Sequence, residues 1–473
     1  MAPFAKIGGL GDVCAALPRH LHRRGHDVRP FLPLYGGPEE ARAAVEPVGF
    51  ARDMRIRAGG RTFTCSLWTG ALPGGGPQVH FVECPALFGR PGVYSAEGDE
   101  HLRFSVITRA SVEGCQRMGF APDVFHAHDW HAALLPLYLK TVYGWDRLFR
   151  DTRTVLTIHN LGYQGVFPSS ALPDLALEGA ADRLDRGDLE AGRVGFLKTG
   201  ILHADAVTTV SATYAREILG AELGMGLDPW LRARQGSLVG ITNGIDAAEW
   251  DPATDPYLPA HFSAGDVAGK GACRARLLEE VGLVPDPAGP VFGVVSRFTA
   301  QKGFDLLFGT LPPLLASEDA RLVALGSGES RYEEFFAGLA HRLPGRVAWH
   351  GGHREELAHR IEAGADLFLM PSRFEPCGLN QMFSMRYGTL PVVRRTGGLA
   401  DTVEPWNPAT GEGTGFVFDH FTGTGLRWAL DVALQAWRDR PAWDRLVRNA
   451  MARDFSWDRR VREYEDLFAR LAG

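Results

Sequence analysis

Short apolar runs alternate with amphipathic stretches along the whole chain, and this alternation constrains the fold more than any single motif. Runs with the character of buried strands fall at residues 28–33, 79–83, 124–127, 154–159 and 206–210 in the first half. In the second half they fall at 291–296, 321–325, 346–350, 366–370 and 391–393. Helical patterns lie between them, for example at 12–24 and 100–118, and a last amphipathic stretch covers 457–471. A helix between successive buried strands is the crossover that a parallel sheet requires, so the pattern predicts a largely parallel α/β architecture.

With 473 residues the chain is too long for one comfortable core, and two domains are expected. The second set of strands reads as a doubly wound sheet of its own. Gly, Asp and Pro accumulate around residues 242–259, which puts the join there. The expected division is an N-terminal domain over 1–241, a linker over 242–260, a C-terminal domain over 261–455 and a terminal helix over 456–473. Two such domains facing each other make a cleft, a common place for a ligand.

Several function classes are disfavoured. The formal net charge is -6, so no basic excess exists to neutralise nucleic-acid phosphates. No uncharged apolar run is long enough to span a membrane. The opening residues carry no secretory apolar segment, and the six cysteines form no CxxC pair. Reduced thiols in a cytoplasm fit that pattern better than a disulfide framework or a zinc site. Only five of the 50 basic residues are lysines: Lys6, Lys140, Lys198, Lys270 and Lys302. A lysine kept in a glycine-rich loop therefore draws attention.

The chemistry-bearing residues sit mostly where strands end. Lys6 precedes a glycine turn, Gly8-Gly9-Leu10-Gly11-Asp12, that opens a helix; its amides and the lysine charge suit an anion, although a tight turn alone would also select glycine. Arg297 and Lys302 follow the strand at 291–296 and could neutralise a diphosphate from two directions. Gly326-Ser327-Gly328 at the next strand end and Gly397-Gly398 further on add weight to that reading. The spacing after Gly328 is not that of a dinucleotide fingerprint, which disfavours a Rossmann dehydrogenase. His126, His128, Asp129 and His131 look like a metal cluster, yet polar side chains bonding at a strand end explain them better. His159 ends another strand, as a core histidine or a polar group facing a cleft. Glu375, between Phe374 and Pro376 after the run at 366–370, could bond sugar hydroxyls or support a developing cation.

Taken in order, KIGGLGDV, HAHDWHA, TIHNLGYQG, ITNGID, SRFTAQKG, PSRFEPCGLNQ, RYGTLPVV and TGGLADTV resemble the motifs of bacterial glycogen synthase and plant starch synthase, from Pro3 to about Tyr464. The resemblance implies the GT-B fold: two Rossmann-like domains facing across a cleft, the N-terminal one on the acceptor side and the C-terminal one binding the nucleotide sugar. A C-terminal helix is expected to return to the N-terminal domain. It implies a retaining transferase that moves glucose from ADP-glucose to an α-1,4-glucan or glycogen, with no metal and no cofactor. By the same resemblance, Lys6 with Gly9 and Asp12 binds the nucleotide sugar, Arg297 and Lys302 hold the diphosphate, and Glu375 contacts the glucosyl unit. His159 and Asp129 line the glucosyl pocket, Gly397 and Gly398 supply amides near the phosphates, and Asn243 marks the hinge. Cys377, Gly378, Leu379 and Thr396 complete the implied substrate contacts.

Three positions depart from, or narrow, the family pattern. Relatives open with a β-strand before the APFAK segment, so either the start lies upstream of Met1 or the first sheet lacks an inner strand. His353 stands where several members carry a tyrosine near the nucleotide base. Many related retaining enzymes place a second glutamate where this chain has Phe383, an aromatic as in glycogen synthases. The competing readings are a transferase that uses UDP-glucose and a catalytically silent glucan-binding homologue. A phosphorylase is disfavoured, because no motif for a pyridoxal-phosphate lysine is evident.

Overall fold

The computed structural model describes residues 1–6, 8–36, 45–90, 92–95, 97–285 and 287–473; Ile7, inside the glycine turn, lies outside them. The chain divides into two compact units. One comprises Met1–Val210, Ala215–Ile241 and Trp457–Gly473, the other Ser211–Tyr214 and Thr242–Ser456.

The second unit is built on a six-stranded sheet among the described residues. Across it run Val347–His350, Arg321–Leu325, Val291–Val295, Leu367–Met370, Leu390–Arg394 and Phe416–Phe418, every pair parallel. Numbered by appearance in the chain this order is 3-2-1-4-5-6, the doubly wound arrangement. Strands buried on both faces read as near-continuous apolar runs, and Arg321–Leu325, after Arg321 paired to Asp319, and Leu367–Met370 are buried throughout. Helices Asp305–Ser317, Ser330–Arg342, Glu355–Gly364 and Asn380–Arg386 lie between successive strands. Winding reverses between Val291–Val295 and Leu367–Met370, so the loops that leave these two strands flank the switch point, where such sheets bind ligands.

The first unit corrects the expectation of a uniformly parallel first half. Leu238–Gly240, Ala206–Thr209, Arg153–Ile158 and Val124–His128 form a parallel sheet among the described residues. A second sheet is mixed: Phe31–Pro33 pairs parallel with Gln78–Glu83, which pairs antiparallel with the long strand Arg61–Ala71. That strand also pairs with Glu46–Pro47 and, through a tight turn at Gly59-Gly60, with Met54–Ala58. Met54–Ala58 alternates buried and exposed residues along MRIRA, the period of a strand with one face in solvent, and so escapes a search for continuous apolar runs. The edge strands of the two sheets, Phe31–Pro33 and Val124–His128, both line one half-open, mainly apolar cavity of about 530 Å³.

The terminal helix Trp457–Ala472 belongs to the first unit. It buries Trp457, Val461, Tyr464 and Leu467, a spacing of three and four that makes one apolar stripe. The stripe packs on Val13, Leu17 and Leu21 of the helix Gly9–Arg23 and on Val155 and Ile241. Each fully buried aliphatic side chain there contributes roughly 1.5–3 kcal/mol.

Residues 242–260 do not form a free linker. The Trp250 ring lies stacked between His359 and Phe383, with 3.8 Å between centroids on each side. Asp255, buried, accepts from His359 Nδ1 at 2.7 Å and from the Tyr387 hydroxyl at 2.6 Å. Aromatic area and a buried charged bond thus bind this stretch into the second unit. Phe383, at the position where related enzymes carry a second acid, is one wall of that stack.

Candidate active site

In the second unit, the loop after Val291–Val295 carries Arg297 and, through the short turn Ala300–Lys302, Lys302. The loop after Leu367–Met370 carries Ser372 and Glu375. Lys302 Nζ donates to Glu375 Oε2 at 2.6 Å, and Ser372 Oγ donates to the same oxygen at 3.0 Å. Among the described residues no donor is on Oε1. Glu375 is 5% exposed, so its charge is held by these two donors and not by bulk water. Arg297 is exposed and forms no ion pair among the described residues. Ser372 was not singled out from sequence; its signal was local, a hydroxyl three residues before the acid in PSRFE.

The two loops are locked by one backbone bond and one side-chain bond. Arg373 N donates to Gln301 O at 2.9 Å, and Asn380 Nδ2 donates to Val295 O at 2.8 Å. Gly303 has φ +71°, and a Cβ there would collide with Pro371 O. The glycines of Gly326-Ser327-Gly328 serve the same end. A Cβ on either would strike the backbone of Ser296 or Phe298, and Phe298 N donates to Ser327 O at 2.8 Å. These glycines allow close approach of chain to chain.

Gly397 and Gly398 behave likewise, which corrects one expectation. The Gly398 amide is not presented to a phosphate: it donates to Glu375 O at 3.0 Å and Pro376 O at 3.2 Å. A Cβ on Gly397 would meet Glu375 O, and one on Gly398 would meet Cys377 O. The pair lets the start of Gly397–Thr402 seat directly under the Glu375 loop and hold the acid in place. Thr396 and Cys377 are buried beside them, Gly378 turns the chain at φ +72°, and Leu379 precedes the helix Asn380–Arg386. His353, after strand Val347–His350, is exposed and bonds Glu355 at 2.8 Å. Asn243 is buried, and its Oδ1 has no hydrogen-bond partner among the described residues.

In the first unit, Lys6 Nζ pairs with Asp12 Oδ1 at 2.8 Å, both half-exposed, and Gly8 turns the chain at φ +72° into the helix that begins at Gly9. Asp129 follows the strand Val124–His128 in a strained backbone conformation, φ +54°. Its Oδ1 accepts from the backbone amides of His159 at 2.7 Å and Asn160 at 3.4 Å. Burial pushes the Asp129 carboxyl up to about 7, against the pull of those amides. His159 is buried and held well below the ordinary imidazole value, chiefly by burial. Its Nε2 meets His128 Nδ1 at 3.0 Å, and His126 Nε2 meets Thr157 Oγ1 at 2.6 Å. The histidines therefore bond to one another and to a threonine. No group of three metal-ligating side chains among the described residues is arranged to hold an ion.

Two α/β units, the second a doubly wound parallel sheet with Lys302 and Glu375 paired at its topological switch point, have the build of a GT-B glycosyltransferase, and the comparisons with known proteins agree. Residues 1–233 match the family described as "Starch synthase catalytic domain", and residues 282–450 match "Glycosyl transferases group 1". The chain belongs to the glycogen and starch synthase family of glycosyltransferases. A glycogen synthase of Anaeromyxobacter dehalogenans is 48% identical over 100% of this chain and 98% of its own length. One of Streptococcus sanguinis is 44% identical over 99% and 98%. Among solved structures, the catalytic domain of Arabidopsis thaliana starch synthase IV, bound to ADP and acarbose, matches with a TM-score of 0.90 and 34% identity, covering 100% of this chain and 97% of that one. A sucrose-phosphate synthase from Thermosynechococcus elongatus shares the fold, with a TM-score of 0.61 at 17% identity over 99% and 94% of the two chains. Among the described residues no helix is long and apolar enough to cross a membrane.

Proposed function

We propose that the chain transfers glucose from ADP-glucose to the non-reducing end of an α-1,4-glucan, with retention of configuration. One observation carries the reading: at the switch point of the second sheet Lys302 bonds Glu375, and Arg297 stands exposed on the same loop as Lys302, an acid suited to sugar hydroxyls with cations suited to a diphosphate nearby in the chain. In the transfer, the bond between the anomeric carbon and the diphosphate oxygen breaks and its electron pair leaves with ADP. The acceptor hydroxyl attacks that carbon from the leaving-group face, and its proton passes to the departing diphosphate oxygen. Positive charge grows on the glucosyl unit, which Glu375 stabilises, and negative charge grows on ADP, which Arg297 and Lys302 stabilise.

Lys6, with Gly9 and Asp12, is assigned to the nucleotide sugar, and Asp129 and His159 to the glucosyl pocket. Cys377, Gly378, Leu379 and Thr396 form the wall beside Glu375, and His353 lies toward the base. The unpartnered Oδ1 of Asn243 supports a ligand donor there, because a buried acceptor without a partner costs about 1–3 kcal/mol. The relative bound to ADP and acarbose supports the nucleotide and the glucan together. The cytoplasm is proposed as the compartment, a choice that six free cysteines support.

The test is glucose incorporation into glycogen from labelled donors. ADP-glucose is expected to support it, with UDP-glucose at least about tenfold slower, and Lys302→Ala is expected to lower turnover at least about tenfold, some 1.4 kcal/mol of barrier. Glycogen binding without turnover of either donor would favour the silent homologue, and unchanged turnover in Lys302→Ala would remove the diphosphate role.

A further inference from the structure

Resting on the glucosyl-transfer reading and its use of His159, we propose that His128 is a positioning residue that sets the orientation and tautomer of the His159 ring. His128 Nδ1 lies 3.0 Å from His159 Nε2, the His159 ring buried and His128 half-buried. Burial holds both neutral, His128 down to about 4, so each ring carries one N–H. Two neutral imidazoles joined nitrogen to nitrogen share a single proton between those atoms, and this ties the tautomer of one to that of the other. His128 therefore decides whether the remaining nitrogen of His159, Nδ1, meets a sugar hydroxyl as donor or as acceptor. Asp129 holds the same residue only through its backbone amide, so the ring needs a second restraint.

His128 is itself backed from behind. Its ring lies tilted against His126 with centroids 4.1 Å apart, and His126 packs against Tyr464 and Phe468 of the terminal helix, each at 5.7 Å. His126 Nε2 is tethered to Thr157 Oγ1, which meets Thr208 Oγ1 at 2.5 Å. A column of rings and hydroxyls thus runs from the terminal helix to His159, all within the first unit.

The test is a double-mutant cycle in the full chain with ADP-glucose and glycogen. His128→Leu is expected to lower kcat about tenfold while the KM for ADP-glucose moves less than about threefold. His128→Asn, whose amide reaches where Nδ1 stood, is expected to restore kcat to within about threefold of the parent, whereas His128→Gln restores less. In a His159→Ala background, His128→Leu is expected to change turnover less than about twofold, because its route of action is gone. A full tenfold loss persisting in that background overturns the inference, as does His128→Gln matching or exceeding His128→Asn. The last comparison stands even if His128→Leu does not fold. Parent-like turnover in His159→Ala alone would overturn the role of His159 and this inference with it, an outcome distinct from independent losses at the two sites.

Discussion

Both units contain parallel sheets, yet they arrive at different degrees of closure. In the second unit six parallel strands are hydrogen-bonded edge to edge, and each site loop rests on the next through a glycine and a backbone bond. Among the described residues of the first unit the strands fall into separate sheets, and the edges Phe31–Pro33 and Val124–His128 line an apolar cavity. A continuous sheet fixes its strand ends from both sides, so loop geometry follows from the register. Where the sheet is divided, side chains take over that task. His128 ends such an edge strand, and its side chain bonds His159, which follows the interior strand Arg153–Ile158, whereas the Glu375 loop rests on backbone at Gly397 and Gly398.

The largest effect that should separate the units comes from adding one methyl group. Gly398→Ala drives a Cβ into the backbone at Cys377, and is expected to destabilise the second unit by about 3 kcal/mol in urea titration, with loss of transfer activity. Gly11→Ala, in the first unit, meets only the side chain and Cα of Lys6 at 3.1 Å or more, and about 1 kcal/mol or less is expected. Equal effects at the two sites would break the contrast.

Next in size is a difference in pH response. Burial pushes Asp129 up to about 7 from its ordinary 3.8. A raised folded value gives stability that is present below the unfolded one, so the first unit should lose stability as pH rises from about 4 through 7. In the second unit burial alone would lower His359, but its bonds to Asp255 and Glu355 outweigh that and raise it to about 9. The sign is the same and the window is higher: stability is complete below 6.5 and is lost as pH passes 9. Urea midpoints at a series of pH values should show both declines, with Asp129→Asn removing the lower and His359→Gln the upper. A variant that left its own window unchanged would discard that assignment.

The smallest expected effect is in the cavity wall. Cys14→Leu should fill space beside the divided sheets and raise stability by up to about 1 kcal/mol, as cavity filling commonly does. A loss above about 2 kcal/mol in a thermal melt would mean that this wall is already packed.

Much of the fold was legible because parallel strands buried on both faces write themselves as continuous apolar runs, and the helix at Glu100–Met118 matched its predicted bounds. The half-exposed hairpin Met54–Ala58 and Arg61–Ala71 was not, since charged residues interrupt its apolar set. Phe416–Phe418 has three residues, too few for a periodic signal. The run at 242–260 reads as linker by its Gly, Asp and Pro content, yet Trp250 and Asp255 find partners more than 100 residues away.

For the site, residue type and position at a strand end marked Glu375, Arg297, Lys302 and His159, because open sheets gather polar groups there for chemical reasons, and a glycine turn opening a helix marked Lys6. Order and spacing of motifs determined the family, and with it the reaction to test. Pairing was decided only by the tertiary structure. Lys302 meets Glu375 across 73 residues, His128 meets His159 across 31, and the Gly398 amide turns to Glu375 O and away from an anion. Local sequence encodes how deeply each residue prefers to be buried. Which donor reaches which acceptor depends on how the crossovers bring distant strand ends together, and that is a property of the folded chain.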